Sequence, residues 1–174
     1  MQVIGSREIK SIGNAQSGEL VQFSNGGYGS FGVIIAKRKE DWLVGALNDP
    51  HEGHPRLIAL DADEECLSYG AGWCLEPIEG AESYPNSHEP NSRSGLLVLK
   101  ADNWFLSVAA SGIDQFGRFN LHWLNLNTHA MSTNAIRGAY FSKWKIWLNA
   151  DERQISSALP LLEFEAKPIG KKAS

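Results

Sequence analysis

The sequence predicts an all-β fold with minor α-helix, arranged as a two-layer β-sandwich or a partly closed β-barrel of about ten strands. Apolar residues occur mostly in short runs that glycine and polar clusters separate, which is typical of strands. Helical patterns are few. A 174-residue chain with many short strands needs a second layer or closure to cover its strand edges.

The first half contains three predicted strands. Residues 18–23 form one, and the apolar runs at 31–36 and 42–47 form a pair joined by the charged link 37–41. That link has the length of a hairpin connection.

The second half begins with a predicted hairpin between residues 95–100 and 104–108. Asp102 and Asn103 between these runs tolerate the positive φ of tight turns. Alternating Phe119, Leu121 and Trp123 indicate a half-buried strand. Apolar residues change face at Leu124, so we expect a β-bulge near Trp123 or a strand that crosses between sheets.

Residues 141–148 predict one further strand with two different faces. Trp144, Ile146 and Leu148 share a face that belongs to the core. Residues 151–159 predict a short C-terminal helix, with acids at its start and Pro160 at its end.

The domain organisation is a single β domain over residues 1–170, followed by a frayed tail at 171–174. A polar segment at 79–94 divides two β-rich halves. Trp42, Trp73 and Trp104 are equally spaced, but their flanking residues differ, which favours repeated hairpins over a duplication. A β-trefoil is only a minor alternative, because that fold needs three matching units and the sequence does not contain them.

Charge and composition restrict the partners. The net charge of −4 and the pI of about 5.7 argue against nucleic acid. No signal-peptide pattern and no apolar run of membrane-spanning length occur, so we expect a cytoplasmic protein without membrane contact. The oligomeric state stays open.

Two further patterns favour structural roles. Residues 27–32 match G-x-G-x-x-G, but an apolar strand follows them where a dinucleotide site needs a helix. Cys66 and Cys74 match no zinc spacing and have no basic residue beside them, so we interpret them as small buried residues that stay reduced.

A candidate metal site lies in the loop around residue 52. His51, Glu52 and His54 are ligand types that suit a divalent metal, and His122 or His129 is the ready source of a third imidazole. The spacing differs from the helical H-E-x-x-H pattern. This site supports the alternative of a metal-dependent β-barrel enzyme.

The favoured function is a non-catalytic binding domain that recognises a protein partner or a small organic ligand, with no cofactor. Lysine is rarely buried, so aromatic residues that share a strand face with lysines suit recognition. The predicted ligand-binding residues, which we call the aromatic–lysine face, are Phe141, Lys143, Lys145 and Trp147. The six tryptophans also leave a carbohydrate-binding module as an alternative.

Overall fold

A computed structural model describes residues 7–78, 93–113 and 119–166. Over these residues the chain forms two β-sheets and one short α-helix. The larger sheet has eleven strands and is not closed, and the smaller sheet has three. The all-β prediction is therefore confirmed, and the architecture is consistent with a sandwich.

The large sheet has the strand order β1-β6-β2-β3-β4-β5-β9-β10-β11, and β8 pairs with both β9 and β12. Neighbouring strands are antiparallel except at a parallel contact between β5 and β9. Its strands are β1 (Glu8–Ser11), β2 (Leu20–Asn25), β3 (Tyr28–Arg38), β4 (Asp41–Ala46), β5 (Arg56–Asp61), β6 (Glu65–Ser68), β8 (Leu97–Lys100), β9 (Asn103–Ile113), β10 (Phe119–Asn125), β11 (Met131–Ser132) and β12 (Ala139–Phe141).

The small sheet has the order β14-β13-β7, with β13 in the centre. Its strands are β7 (Cys74–Pro77), β13 (Lys143–Trp147) and β14 (Leu162–Glu165). The one α-helix of the described residues, α1 (Ala150–Gln154), follows β13, and a 3₁₀ turn (Ile12–Asn14) follows β1.

Strands β2 and β3 are buried on both faces. Leu20 and Val33 belong to a core shared with the small sheet, whereas their neighbours Val21 and Ile34 belong to a second core on the opposite face. Because both faces are covered, the apolar residues form continuous runs instead of an alternating pattern. The strands predicted near residues 20, 33 and 44 are confirmed.

The core between the layers joins the two sheets. Trp144 and Ile146 of β13 are fully buried and belong to the same cluster as large-sheet residues. The indole nitrogen Nε1 of Trp144 donates to the carbonyl oxygen of Gly95 at 2.8 Å, so this buried indole is satisfied. The core face predicted for Trp144 and Ile146 is confirmed.

The β8–β9 hairpin is also confirmed, with a turn of two residues. Lys100 pairs with Asn103, and the intervening Ala101 and Asp102 have φ values of 46° and 62°. Two successive positive φ values are characteristic of the type I′ turn that matches strand twist.

The bulge predicted near Trp123 is wrong in position. The β9–β10 register is regular from Leu121 to Asn125, and its irregularities lie between Phe119 and Leu121. Trp123 and Leu124 are both buried, in different clusters on opposite faces of the strand. Burial on both faces, and not a bulge, explains the change in the apolar pattern.

The C-terminal helix is shorter than the range predicted. The side chain of Asn149 accepts a hydrogen bond from the backbone N–H of Glu152 at 2.8 Å, which caps the first turn. The helix ends at Gln154, so residues 155–159 lie outside it. No described helix combines the length and the apolar character that crossing a membrane requires.

Two predictions lie outside the described residues. These are most of the polar segment at 79–94, of which only Arg93 and Ser94 are described, and the tail at 171–174. Ser94 is buried, and its hydroxyl donates to the carbonyl of Pro55.

Candidate functional site

The aromatic–lysine face lies on two strands of different sheets. Phe141 ends β12 in the large sheet, whereas Lys143, Lys145 and Trp147 lie on β13 in the small sheet. The single strand predicted over 141–148 is therefore wrong, because the chain bends at Ser142 to pass between the layers. Ligand binding by these four residues stays a prediction.

Both lysines of the aromatic–lysine face are paired with carboxylates of β14. Nζ of Lys143 lies 3.0 Å from Glu165, and Nζ of Lys145 lies 2.9 Å from Glu163. These pairs follow the cross-strand register of β13 and β14. The face is consequently close to charge-balanced.

Trp147 is buried, with 8% of its surface exposed. Its Nε1 donates to Oε2 of Glu76 at 2.8 Å, and the guanidinium of Arg153 lies 2.9 Å from Oε1 of the same carboxylate. Partial burial works against ionisation of Glu76, but these hydrogen bonds outweigh it and lower its pKa. The indole is thus fixed in a polar contact within the small sheet.

The predicted metal ligands are not assembled into a metal site. His51 and Glu52 are exposed, whereas His122 is half-buried within β10. Within residues 7–78, 93–113 and 119–166, no three His, Cys, Asp or Glu side chains are placed to hold a metal ion together. The metal-dependent alternative stays a prediction without geometric support.

The loop that carries His51, Glu52 and His54, which we call the histidine loop, is instead organised by Asp49, which is 1% exposed. Its carboxylate accepts from the backbone N–H groups of His51 and Glu52 at 2.8 and 3.1 Å and forms an ion pair with Arg56. Burial raises the pKa of Asp49, but these contacts outweigh it, so the net pKa is lowered. The loop geometry is that of a structural turn around a buried carboxylate.

The two cysteines lack the features of reactive thiols. Cys66 is buried, Cys74 is half-buried, and both are free. Burial raises the pKa of each thiol. Because the thiolate is the nucleophile, a raised pKa lowers reactivity.

A cleft of about 210 Å³ lies where the small sheet meets the large one, and we call it the tryptophan cleft. The half-buried indoles of Trp73, next to β7, and Trp104, in β9, contribute to its walls. Its lining residues are Gly18, Ala71, Trp73, Leu75, Trp104, Leu126, Asn127 and His129.

Gly18 fixes one side of the tryptophan cleft. Nε1 of Trp73 donates to its carbonyl oxygen at 2.9 Å. A Cβ at Gly18 would lie 2.2 Å from Cε1 of His129, so the imidazole packs directly on the glycine. Gly18 also has a φ of +89°, which favours glycine. The His129 ring therefore occupies the space that a side chain at position 18 would need.

The turn between β10 and β11 fixes the other side. Oδ1 of Asn125 accepts from the backbone N–H of Asn127 at 2.8 Å, and the N–H of His129 donates to the Asn125 carbonyl at 2.7 Å. His129 has a φ of 59°, a left-handed conformation in which histidine is enriched. Oδ1 of Asn127 accepts from the backbone N–H of Trp104 at 2.9 Å, which ties the turn to β9.

Three polar groups of the cleft have no hydrogen-bond partner among the described residues. They are Nε1 of Trp104, Nδ2 of Asn127 and the imidazole nitrogens of His129. The Trp104 ring is supported by Phe141, with ring centroids 5.6 Å apart. Apolar walls with a few unpaired polar groups are typical of small-molecule sites.

Sequence reasoning missed this site. In the sequence, Trp73 and Trp104 stand out only by their equal spacing with Trp42, and His129 only as a possible third imidazole for the metal site. The cleft residues come from four separate segments, so no local motif connects them. The available signal is that each tryptophan directly follows a turn-forming segment, at 70–72 and at 101–103.

Comparisons of this chain with protein-family models, with curated proteins and with solved structures find no match. The candidate site therefore rests on its geometry alone.

Proposed function

We propose that this chain is a non-catalytic binding domain and that the tryptophan cleft holds a small organic ligand. The observation that carries the proposal is that two half-buried indoles line one cleft together with polar groups that lack described partners. Indole rings supply a large rigid contact area, and unpaired polar groups supply specificity.

The tryptophan cleft suits binding better than the aromatic–lysine face does. A ligand on that face would compete with the Lys143 and Lys145 ion pairs and with the contact between Trp147 and Glu76. In the cleft, Trp104 offers its ring without losing a described side-chain hydrogen bond. Binding there needs less rearrangement, which favours affinity.

Binding is also favoured over catalysis. The described residues contain no metal-ligand cluster, and the Cys66 and Cys74 thiols have raised pKa values. Among the described residues that line the cleft there is no Lys or Arg, in keeping with a ligand other than nucleic acid. A cytoplasmic location, in which two free cysteines stay reduced, belongs to the same proposal.

The test compares Trp104→Ala with Trp42→Ala. Trp42 is also half-buried on a strand of the large sheet, but it packs on the opposite core and does not line the cleft. Saturation-transfer NMR would use a panel of methyl glycosides, neutral nucleosides and benzyl alcohol. We expect at least one compound to bind the wild type and Trp42→Ala but not Trp104→Ala. Circular dichroism checks that both variants fold, and equal binding by both would overturn the proposal.

A further inference from the structure

We infer that the tryptophan cleft accepts one uncharged pyranose ring, either a free sugar or a residue of a glycan. This inference rests on the proposed function, because it names the class of ligand for the same cleft. Charge, size and hydrogen-bonding capacity each support it.

The described lining of the cleft is uncharged. None of its eight described lining residues is Asp, Glu, Lys or Arg. Moving a charged ligand group out of water without an ionic partner is strongly unfavourable. The lining therefore selects against phosphates, carboxylates and ammonium groups and favours a neutral compound.

The cleft has room for one substituted ring. Its volume of about 210 Å³ exceeds the roughly 150 Å³ of an engineered cavity that binds benzene. It is smaller than the range of about 300–1,000 Å³ that is usual for drug-sized ligands. A single six-membered ring with several substituents fits between these limits.

The polar groups of the cleft call for a ligand that accepts hydrogen bonds. Oδ1 of Asn127 is occupied by the backbone N–H of Trp104, so Asn127 offers its Nδ2 donor. Nε1 of Trp104 is also a donor, and an imidazole nitrogen of His129 can add a third contact. A purely apolar ring would leave these groups unpaired, which is unfavourable once they are buried.

A pyranose ring matches both kinds of surface. Its axial C–H bonds form an apolar face that packs on an indole ring, and its equatorial hydroxyls point outward as acceptors and donors. The walls formed by Trp73, Trp104 and Leu75 provide the apolar contact, and Asn127 and His129 lie among the same lining residues. Because Trp73 and Asn127 already make hydrogen bonds to backbone groups, they are largely preorganised.

The experiment titrates the chain with compounds of four classes and follows tryptophan fluorescence and saturation-transfer NMR. The neutral sugars are the methyl glycosides of glucose, galactose and mannose, and the charged sugar is the methyl glycoside of glucuronic acid. The other two classes are the nucleosides adenosine and uridine, and benzyl alcohol. Concentrations reach about 20 mM, which covers the millimolar Kd values expected of single sugars. The variants are Trp104→Ala, Asn127→Ala and the control Trp42→Ala.

We expect at least one neutral methyl glycoside to bind more tightly than the glucuronide, the nucleosides and benzyl alcohol. Trp104→Ala should weaken that binding about tenfold or more, the effect of removing an aromatic stacking surface. Asn127→Ala should weaken it less, and Trp42→Ala should leave it unchanged. Asn127 is exposed, so its variant keeps the test valid if Trp104→Ala fails to fold.

The outcomes separate this inference from the proposed function. If only nucleosides or benzyl alcohol bind, and Trp104→Ala abolishes their binding, the sugar inference is overturned while the cleft remains a ligand site. Tighter binding of the glucuronide would overturn the neutral class. If no compound binds, or if every variant binds equally, both the inference and the proposed function are overturned.

Discussion

At the scale of single residues, Gly18 connects chain conformation to the candidate site. It has a φ of +89°, receives the Trp73 indole hydrogen bond on its carbonyl oxygen and lies against the His129 ring. A side chain here would meet two difficulties at once, a strained backbone and an occupied space. Gly27 has a φ of +88° but nothing within 4 Å of its Cβ position, so it separates the two effects.

We predict that Gly18→Ala destabilises the chain more than Gly27→Ala. Both substitutions place alanine at positive φ, which costs about 1–2 kcal/mol. Only Gly18→Ala also displaces His129, adding about 1–3 kcal/mol from overpacking. Urea unfolding gives both free energies, and equal losses would show that the imidazole does not pack on Gly18. Displacement of His129 should also change the imidazole NMR signals in Gly18→Ala alone.

At the scale of elements, the sequence predicts the strands that have strong apolar runs and the pairing within local hairpins. It does not predict the pairing of distant segments, and it misses strands β1, β5, β6, β7, β11 and β14. The runs that became β2, β3, β4 and the β8–β9 hairpin carry their own apolar and turn signals. The parallel contact between Arg56 and Ala109 joins distant segments, and nothing local specifies it. The bend at Ser142 separates Phe141 from Lys143, although both fit one alternating pattern.

The candidate cleft was beyond sequence reasoning for the same reason. Its walls come from segments near residues 18, 73, 104 and 127, which only strand pairing and sheet packing bring together. Each segment alone reads as a turn beside a strand. Sequence motifs lie within one segment, so the sequence indicates the histidine loop and the aromatic–lysine face as candidate sites instead.

Asp49 links three elements through its buried carboxylate. It follows β4, accepts from Nδ2 of Asn25 at the end of β2 at 3.2 Å, and pairs with Arg56 at the start of β5. Asparagine at position 49 would keep an acceptor for the loop N–H groups but would lose the ion pair. The side chain of Arg56 is 34% exposed, so solvent screens part of that pair.

We predict that Asp49→Asn lowers the unfolding free energy at pH 7 by about 1–3 kcal/mol. The pKa of folded Asp49 lies below its ordinary value of 3.8, so the carboxylate stabilises the fold above about pH 4. That stabilisation is lost as the pH falls through the folded-state pKa. The difference between wild type and variant should therefore shrink in acid.

Urea unfolding between pH 7 and pH 3 measures this dependence on Asp49. Glu163→Gln is the control, because its ion pair with Lys145 lies at the surface and contributes about 0–1 kcal/mol. A wild-type–variant difference for Asp49→Asn that stayed constant over this range would contradict the assignment.

At the scale of the whole molecule, the two sheets share one core. Trp144 and Ile146 of the small sheet cluster with Val33 and Leu106 of the large sheet. Trp144 also stacks on Phe164 with ring centroids 4.8 Å apart and donates to the Gly95 carbonyl. The described small sheet has three strands and buries its inner face against the large one, so its buried residues belong to this shared core. The large sheet also has the second core on its opposite face, which contains Val21 and Ile34.

We predict that the described sheets unfold together and that Trp144→Phe weakens the whole molecule. Phenylalanine leaves the Gly95 carbonyl without the indole donor and leaves a cavity, which together cost about 2–4 kcal/mol. Far- and near-ultraviolet circular dichroism should give one coincident urea transition, shifted to lower urea in the variant. Trp147→Phe is the matched control. The Trp147 indole bonds to Glu76 away from this core, so its substitution should lower the unfolding free energy less.

Two separate transitions, with only the earlier one moved by Trp144→Phe, would mean that the small sheet is an independent layer. In that case the tryptophan cleft, which takes Leu75 from the small sheet and Trp104 from the large one, would open before the large sheet unfolds.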